Sequence, residues 1–175
     1  IDEMKKVELP NIKIVLTGCG RVGNGAREML VGMEMREVTV NEFLNESFNE
    51  PVFVQIDALD YNIRKDGFVK GFQDFFSHPG AYESNFMRFA KKADIYIACH
   101  FYGDNSPYIF TREDVKDPNF NIKVVADISC DIDGPVACTL RASTIADPIY
   151  GYDPQLEKEV DFLNEEAIAV MAVDN

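Results

Sequence analysis

The feature that most constrains this sequence is a glycine-rich turn between two apolar segments. A short apolar run at residues 12–16 precedes the turn, and residues 21–33 after it carry apolar side chains at helical spacing. The turn itself is a GxGxxG pattern, Gly18-Cys19-Gly20-Arg21-Val22-Gly23. Such a pattern, placed after a buried strand and at the start of a helix, predicts a parallel α/β sheet that binds a dinucleotide.

Each glycine of this turn has a separate predicted role. Gly18 permits the tight turn, Gly20 lets the backbone approach a diphosphate, and Gly23 lets the helix pack closely on the strand. Main-chain N–H groups at the helix start, together with the positive end of the helix dipole, would hold the anion. Arg21 would add a direct cation contact, and Val22 lies within the same turn.

The dinucleotide pattern also requires an acidic residue after the second strand, about 20 residues beyond the glycines. Residues 36–41 are rich in β-branched side chains and predict that strand, and Glu42 follows it. A carboxylate there accepts hydrogen bonds from the adenosine ribose and repels a 2′-phosphate, so we predict NAD rather than NADP. Methyltransferases also carry glycines after their first strand, but they usually place an acid just before those glycines. This chain has Thr17 there, so we do not favour a methyltransferase.

Further apolar runs alternate with helical patterns along the chain. Four short runs are typical of strands buried on both faces: 52–56, 95–98, 124–126 and 168–173. Phenylalanines recur at helical spacing within 68–76. The alternation predicts an α/β fold of the Rossmann type, a doubly wound, mostly parallel sheet with helices on both faces.

Composition limits the partners and the location. The 175 residues include 17 Lys and Arg against 30 Asp and Glu, a net charge of −13, so we expect neither nucleic acid nor a membrane as partner. No apolar run approaches the roughly 18 residues of a membrane-spanning helix. The four cysteines form no CxxC pair and no calcium-loop spacing occurs, so we expect no metal site. No signal peptide opens the given sequence, so we expect reduced thiols and a cytoplasmic protein.

The length predicts one domain. Residues 1–10 are polar and end in proline, which indicates a linker or an entering segment, and residues 11–175 form the predicted NAD(P)-binding domain. The chain begins at Ile1 and stops directly after an apolar run. We therefore expect a fragment of a larger protein.

Three segments carry a resemblance to a known family. They are GRVGNGA at 20–26, VADISCD at 125–131 and AVDN at 172–175. Together they resemble the NAD-binding domain of the lysine-forming saccharopine dehydrogenases, which share a superfamily with alanine dehydrogenases and transhydrogenase subunits. The segment 43–93 is longer than in that family.

The resemblance implies a set of residues that contact NAD. Gly20 and Arg21 would touch the pyrophosphate, and Glu42 the adenosine ribose. Phe101 would line the adenine or ribose side. The nicotinamide end would be contacted by Ile128, Val173 and Asp174.

The resemblance also implies that Ser129 and Asp131 face an amino-acid substrate. From the residues alone, Asp131 and Asp133 fit equally well as stabilisers of a turn. His100 lacks a partner constellation. From the end of its strand it could approach the cofactor, but we favour a position at the surface.

The implied function is that of an NAD-dependent amino-acid dehydrogenase, an oxidoreductase acting on a CH–NH group of an amino-acid or oxo-acid substrate. The family's catalytic acid and base lie on a separate substrate domain, so we assign no catalytic residue and expect the isolated chain to be inactive. Two alternatives stay open: an alanine dehydrogenase-like oxidative deamination and a non-enzymatic dinucleotide-sensing module. Association into a homo-oligomer is also open.

Overall fold

The architecture is that of a computed structural model, which describes residues 3, 6 and 8–172. The strands in this part of the chain are β1 (Lys13–Thr17), β2 (Arg36–Glu37), β3 (Val52–Ile56), β4 (Asn62–Arg64), β5 (Tyr82–Ser84), β6 (Ile95–Ala98), β7 (Val124–Asp127), β8 (Tyr150–Asp153), β9 (Lys158–Val160) and β10 (Ile168–Ala172). The α-helices are α1 (Arg21–Gly32), α2 (Val40–Asn45), α3 (Ala58–Tyr61), α4 (Phe72–Ser77), α5 (Met87–Ala90) and α6 (Arg112–Val115). Val173 and Asp174 of the predicted NAD contacts lie outside the described residues.

Eight strands form one sheet in the order β2-β3-β1-β6-β7-β10-β8-β9. The first six run parallel, and β8 and β9 add an antiparallel hairpin beyond β10. The sheet is therefore mostly parallel and alternates with helices in the chain. The predicted fold class, an α/β fold of the Rossmann type, is confirmed.

Both faces of the central strands are buried, which explains their continuous apolar sequences. Successive side chains of a strand point to opposite faces. Ile14 and Leu16 of β1 pack in one cluster with Leu30 of α1. Val15 belongs to a second cluster that contains Phe43 of α2 and Phe89 of α5. Helices thus cover the sheet on both sides, as a parallel sheet requires.

The predicted strand at 36–41 is wrong in its extent. Strand β2 ends at Glu37, both of its residues are exposed, and it lies at the outer edge of the sheet. The place beside β1 belongs to β3, whose pairing with β1 runs from Lys13↔Val52 to Thr17↔Ile56.

A local capping box explains why the strand stops early. The Thr39 side chain accepts a hydrogen bond from the Glu42 N–H, and the Glu42 carboxylate accepts one from the Thr39 N–H. This reciprocal pair begins a helix and so overrides the β preference of the neighbouring valines. Glu42 is consequently a first-turn residue of α2 and not the residue that follows a strand.

Residues 62–84 form a small unit outside the main sheet. Strands β4 and β5 pair antiparallel, with Asn62 opposite Ser84, and α4 and a short 3₁₀ turn (Pro79–Ala81) lie between them. The phenylalanine pattern at 68–76 accounts for α4, which begins at Phe72. This unit lies next to α3.

One row of residues marks the carboxyl edge of the parallel strands. Ile56, Thr17, Ala98 and Asp127 are register partners across β3, β1, β6 and β7. The residues that follow them in the chain lie where open α/β folds bind their ligands. None of the helices within the described residues combines the length and the apolar character that crossing a membrane requires.

Candidate functional site

The turn after β1 has a backbone that only glycine fits. Gly18 has φ +95°, and its N–H donates to the Ile56 carbonyl oxygen at 2.9 Å. A Cβ at this position would lie 2.4 Å from the carbonyl oxygen of Cys99. Because both the left-handed conformation and the close approach exclude a side chain, Gly18 is required by the fold itself.

Gly23 is required for a second reason. A Cβ there would lie 1.9 Å from the Gly18 carbonyl oxygen, so the missing side chain lets α1 approach the turn. The Gln55 side-chain amide donates to the same Gly18 oxygen at 2.9 Å and to the Asn24 side-chain oxygen at 3.2 Å. Gln55 therefore braces β3 against both the turn and the first turn of α1.

Gly20 differs from the other two glycines. A Cβ built on Gly20 would meet no atom within 4 Å. The backbone at this position therefore borders open space, which is what close approach of a diphosphate requires.

The start of α1 has the features that suit an anion. No side chain caps the helix at Gly20, and its first turn contains no acidic residue. The first N–H groups of a helix have no partner within the helix, and the dipole adds partial positive charge there. Arg21 is exposed, and no described carboxylate forms an ion pair with it, although the protein is strongly acidic.

A cavity of about 700 Å³ opens over this turn, which is within the usual range for small-molecule sites. Its lining combines main chain of the turn with side chains from α3, α4 and the end of β6. The lining residues are Gly18, Cys19, Gly20, Arg21, Val22, Asp57, Ala58, Tyr61, Phe72, Phe75, Phe76, Cys99, His100 and Phe101. The cavity thus brings together five of the predicted cofactor residues: Gly18, Gly20, Arg21, Val22 and Phe101.

The carboxylate in this cavity is Asp57 and not Glu42. Asp57 follows β3, the strand beside β1, and lines the cavity. One of its oxygens accepts the Leu59 N–H at 2.8 Å, which begins α3. Glu42 is not part of the lining, and the hydrogen bonds from Thr39 to its carboxylate lower its pKa. The ribose contact predicted for Glu42 therefore has no support from the cavity.

Sequence reasoning missed Asp57 because it counted strands along the chain rather than across the sheet. The segment at 52–56 is the more continuous apolar run, and Asp57 follows it directly. An acid at the end of the most buried nearby strand was the signal that could have identified this residue. Neither strand order nor its departure from the usual arrangement is visible in one sequence.

The turn after β7 is held by its own side chains. The Asp127 carboxylate is buried and accepts hydrogen bonds from the Ser129 hydroxyl at 2.5 Å and the Thr139 hydroxyl at 2.7 Å. It also accepts the main-chain N–H groups of Ser129 and Cys130. This carboxylate closes the turn on itself and ties it to the segment around Thr139.

The predicted residues of this second turn lie outside the cavity lining. Ile128 packs with the cluster that contains Cys99, and its N–H donates to the Ala98 carbonyl oxygen at 2.9 Å. The Ser129 hydroxyl donates a hydrogen bond to the Asp127 carboxylate. Partial burial, and then the nearby Asp127 carboxylate, raise the pKa of Asp131. The substrate contacts of Ser129 and Asp131 stay predictions.

His100 is buried, so its expected surface position is wrong. Its Nδ1 lies 3.3 Å from the Thr17 hydroxyl and 3.4 Å from the Tyr96 hydroxyl. Its Nε2 is buried and has no hydrogen-bond partner among the described residues. Burial lowers the pKa of His100 to about 4, with Asp127 acting in the opposite direction, so the ring is neutral near pH 7.

Comparison with known proteins gives a distant relationship. The chain matches no protein-family model. It is similar to alpha-aminoadipic semialdehyde synthase of Arabidopsis thaliana, with 23% identity over 122 residues. The similar region is 67% of this chain but 11% of the plant protein, so the chain spans a small part of that relative's length. This similarity supports the resemblance to the superfamily and does not identify a particular enzyme within it.

Proposed function

We propose that this chain is the NAD(H)-binding domain of an amino-acid dehydrogenase that resembles lysine-forming saccharopine dehydrogenase. The observation that carries the proposal is the open start of α1. Uncapped N–H groups, an exposed Arg21 that pairs with no described carboxylate, and the open space at Gly20 meet in one cavity. In a chain with a net charge of −13, such a site suits a diphosphate.

The described residues suit the two polar parts of an adenosine diphosphate. The main chain at Gly20 and the Arg21 guanidinium would hold the diphosphate. Asp57, at the end of the adjacent strand, has the place that the ribose-binding acid has in dinucleotide sites. Its carboxylate would accept hydrogen bonds from the ribose hydroxyls and would repel a 2′-phosphate, which favours NAD over NADP.

The bound cofactor would supply a hydride acceptor or donor for a carbon that bears an amine. Oxidation of that carbon gives an imine, and water then releases an amine and an oxo acid. The role of this domain is to hold and orient the cofactor. We propose that residues 11–175 act with a separate substrate domain, which supplies the acid and base, and that the 175-residue chain alone binds the cofactor without turnover.

Titration of the chain with NADH, followed by nucleotide fluorescence, tests the proposal. We expect binding, and stronger binding of NADH than of NADPH. Gly20→Val fills the open space at the turn with little effect on the fold, since a Cβ there meets nothing within 4 Å, and we expect it to abolish NADH binding. Gly25→Ala, on the exposed side of α1, is the matched control and should bind as the wild type does.

Three results would contradict the proposal. Equal binding by wild type and Gly20→Val would show that the ligand does not use the glycine turn. Stronger binding of NADPH, or no loss of the NADH preference in Asp57→Asn, would remove Asp57 from the ribose contact.

A further inference from the structure

The cavity over the glycine turn has an aromatic end that the dinucleotide pattern does not account for. Three phenylalanines of α4 line it, Phe72, Phe75 and Phe76, beside Phe101 at the end of β6, for which the family resemblance already implies an adenine or ribose contact. We infer that these rings form the adenine-binding end of the site. The inference rests on the proposed function, since it assigns the base of the nucleotide whose diphosphate lies at the turn.

Two of the α4 rings are presented to the cavity rather than to the core. Phe72 is 43% exposed and Phe76 is 64% exposed, and the two rings are stacked at 6.3 Å with an interplanar angle of 20°. Phe101 is 84% exposed. A folded protein gains nothing from three large rings in water, and a planar base that covers them removes apolar surface from solvent on both partners.

The third ring anchors the helix. Phe75 is buried and packs edge-on against Tyr82 of β5, with ring centroids 5.1 Å apart. The Tyr82 hydroxyl donates to the Asp74 carboxylate at 2.8 Å, and Arg64 of β4 pairs with the same carboxylate. The exposed rings are therefore carried on a helix that is fixed to both strands of the small sheet.

The position of Asp57 decides which base the aromatic end would take. In dinucleotide-binding sheets, the acid after the strand beside β1 binds the ribose of the adenosine half. Asp57 lies in the same cavity as the rings of α4. The base attached to that ribose is adenine, and stacking on aromatic side chains is the usual way in which proteins hold a base without reading its edge.

The absence of tryptophan from the sequence gives a direct test. In Phe76→Trp, the single indole lies at the proposed adenine site, and we expect ADP, which carries no nicotinamide, to quench its fluorescence. Phe68→Trp is the matched control. Phe68 belongs to the same small unit and is 67% exposed, but it lines a neighbouring cavity together with Val69 and Lys70. Its indole should not respond to ADP.

Calorimetry with two ligands separates this inference from the proposed function. We expect the double variant Phe72→Ala/Phe76→Ala to bind ADP about tenfold more weakly than wild type, within the range for loss of one stacked base. Inorganic pyrophosphate, which has no base, should bind both proteins equally. Circular dichroism of each variant shows that α4 and the sheet are retained.

Three results would overturn the inference. If ADP binds wild type and the double variant equally, the rings do not hold adenine, although the diphosphate site stands. The same conclusion follows if Phe68→Trp is quenched as strongly as Phe76→Trp, because ADP then has no preferred ring. If wild type binds neither ADP nor pyrophosphate, the proposed function fails together with the inference, and the rings are free to be covered by another domain.

Discussion

Two turns lie at the same edge of the sheet, one after β1 and one after β7, and they are stabilised in opposite ways. The turn after β1 uses glycines, and its helix start has no side-chain cap. The turn after β7 uses Asp127, which accepts four hydrogen bonds from its own surroundings. Position at the carboxyl edge therefore does not by itself make a ligand site. What distinguishes the two is whether the polar groups already have partners.

The largest expected effect comes from removing the carboxylate that closes the second turn. Asp127→Ala leaves the partly buried Ser129 and the buried Thr139 donors without their acceptor, and we expect a loss of about 4 kcal/mol in the free energy of unfolding. Urea denaturation measures it. Asp131→Ala, in the same turn but partly exposed, should change stability by about 0.5 kcal/mol or less. Similar losses for the two variants would show that Asp127 does not hold this turn.

The next effect tests the packed glycines of the first turn. Gly23→Ala places a Cβ against the Gly18 carbonyl oxygen, a backbone atom that cannot rotate away, so we expect a loss of about 3 kcal/mol. Thermal or urea unfolding measures it. A stable Gly23→Ala protein would mean that α1 does not pack on the turn as described.

A smaller effect concerns His100, which follows β6 between the two turns. Folding lowers its pKa to about 4 from an ordinary 6.5, so the unfolded chain binds more protons between these values. Stability contributed by neutral His100 is then present above about pH 6.5 and is lost as the pH falls toward 4. We expect about 2 kcal/mol of it to disappear between pH 7 and pH 5.

The measurement for His100 is a comparison of unfolding free energies at pH 7 and pH 5 in wild type and His100→Gln. Glutamine does not titrate, so the variant should lose less stability on acidification. Equal losses in both proteins would assign the pH dependence to other groups.

The smallest effect has the opposite sign. Gly25 lies in α1, is exposed, and a Cβ there meets nothing within 4 Å. Gly25→Ala should therefore stabilise the protein by about 0.5–1 kcal/mol, because alanine restricts the unfolded chain and favours helix. Thermal unfolding checks this. A loss of stability would mean that Gly25, like Gly23, is needed for packing.

The local features of the first turn and of the sheet could be predicted from the sequence. Continuous apolar runs reproduce β1, β3, β6, β7 and β10, and helical spacing reproduces α1, because these patterns follow directly from burial on one or two faces. The roles expected of Gly18 and Gly23 in the backbone also follow from local geometry.

The features that could not be predicted from the sequence depend on tertiary structure. The order of strands across the sheet decides that Asp57 and not Glu42 borders the glycine turn. Residues 131–154 are rich in Asp, Pro and Gly, a composition typical of loops, yet Tyr150–Asp153 forms β8 by pairing with β10. Likewise, aromatic residues at 82, 86 and 89 recur at helical spacing, yet Tyr82–Ser84 forms β5 because it pairs with β4. Such pairings depend on residues distant in the chain.

The Gln55 brace has a consequence for how fast a ligand binds. One amide holds β3 to both the glycine turn and Asn24, so the groups proposed to contact the diphosphate and the neighbouring Asp57 are held together. A ligand meets these groups already in place and pays little entropy to order them. Its arrival at this end of the cavity is then a single diffusive step, without a slow closing phase.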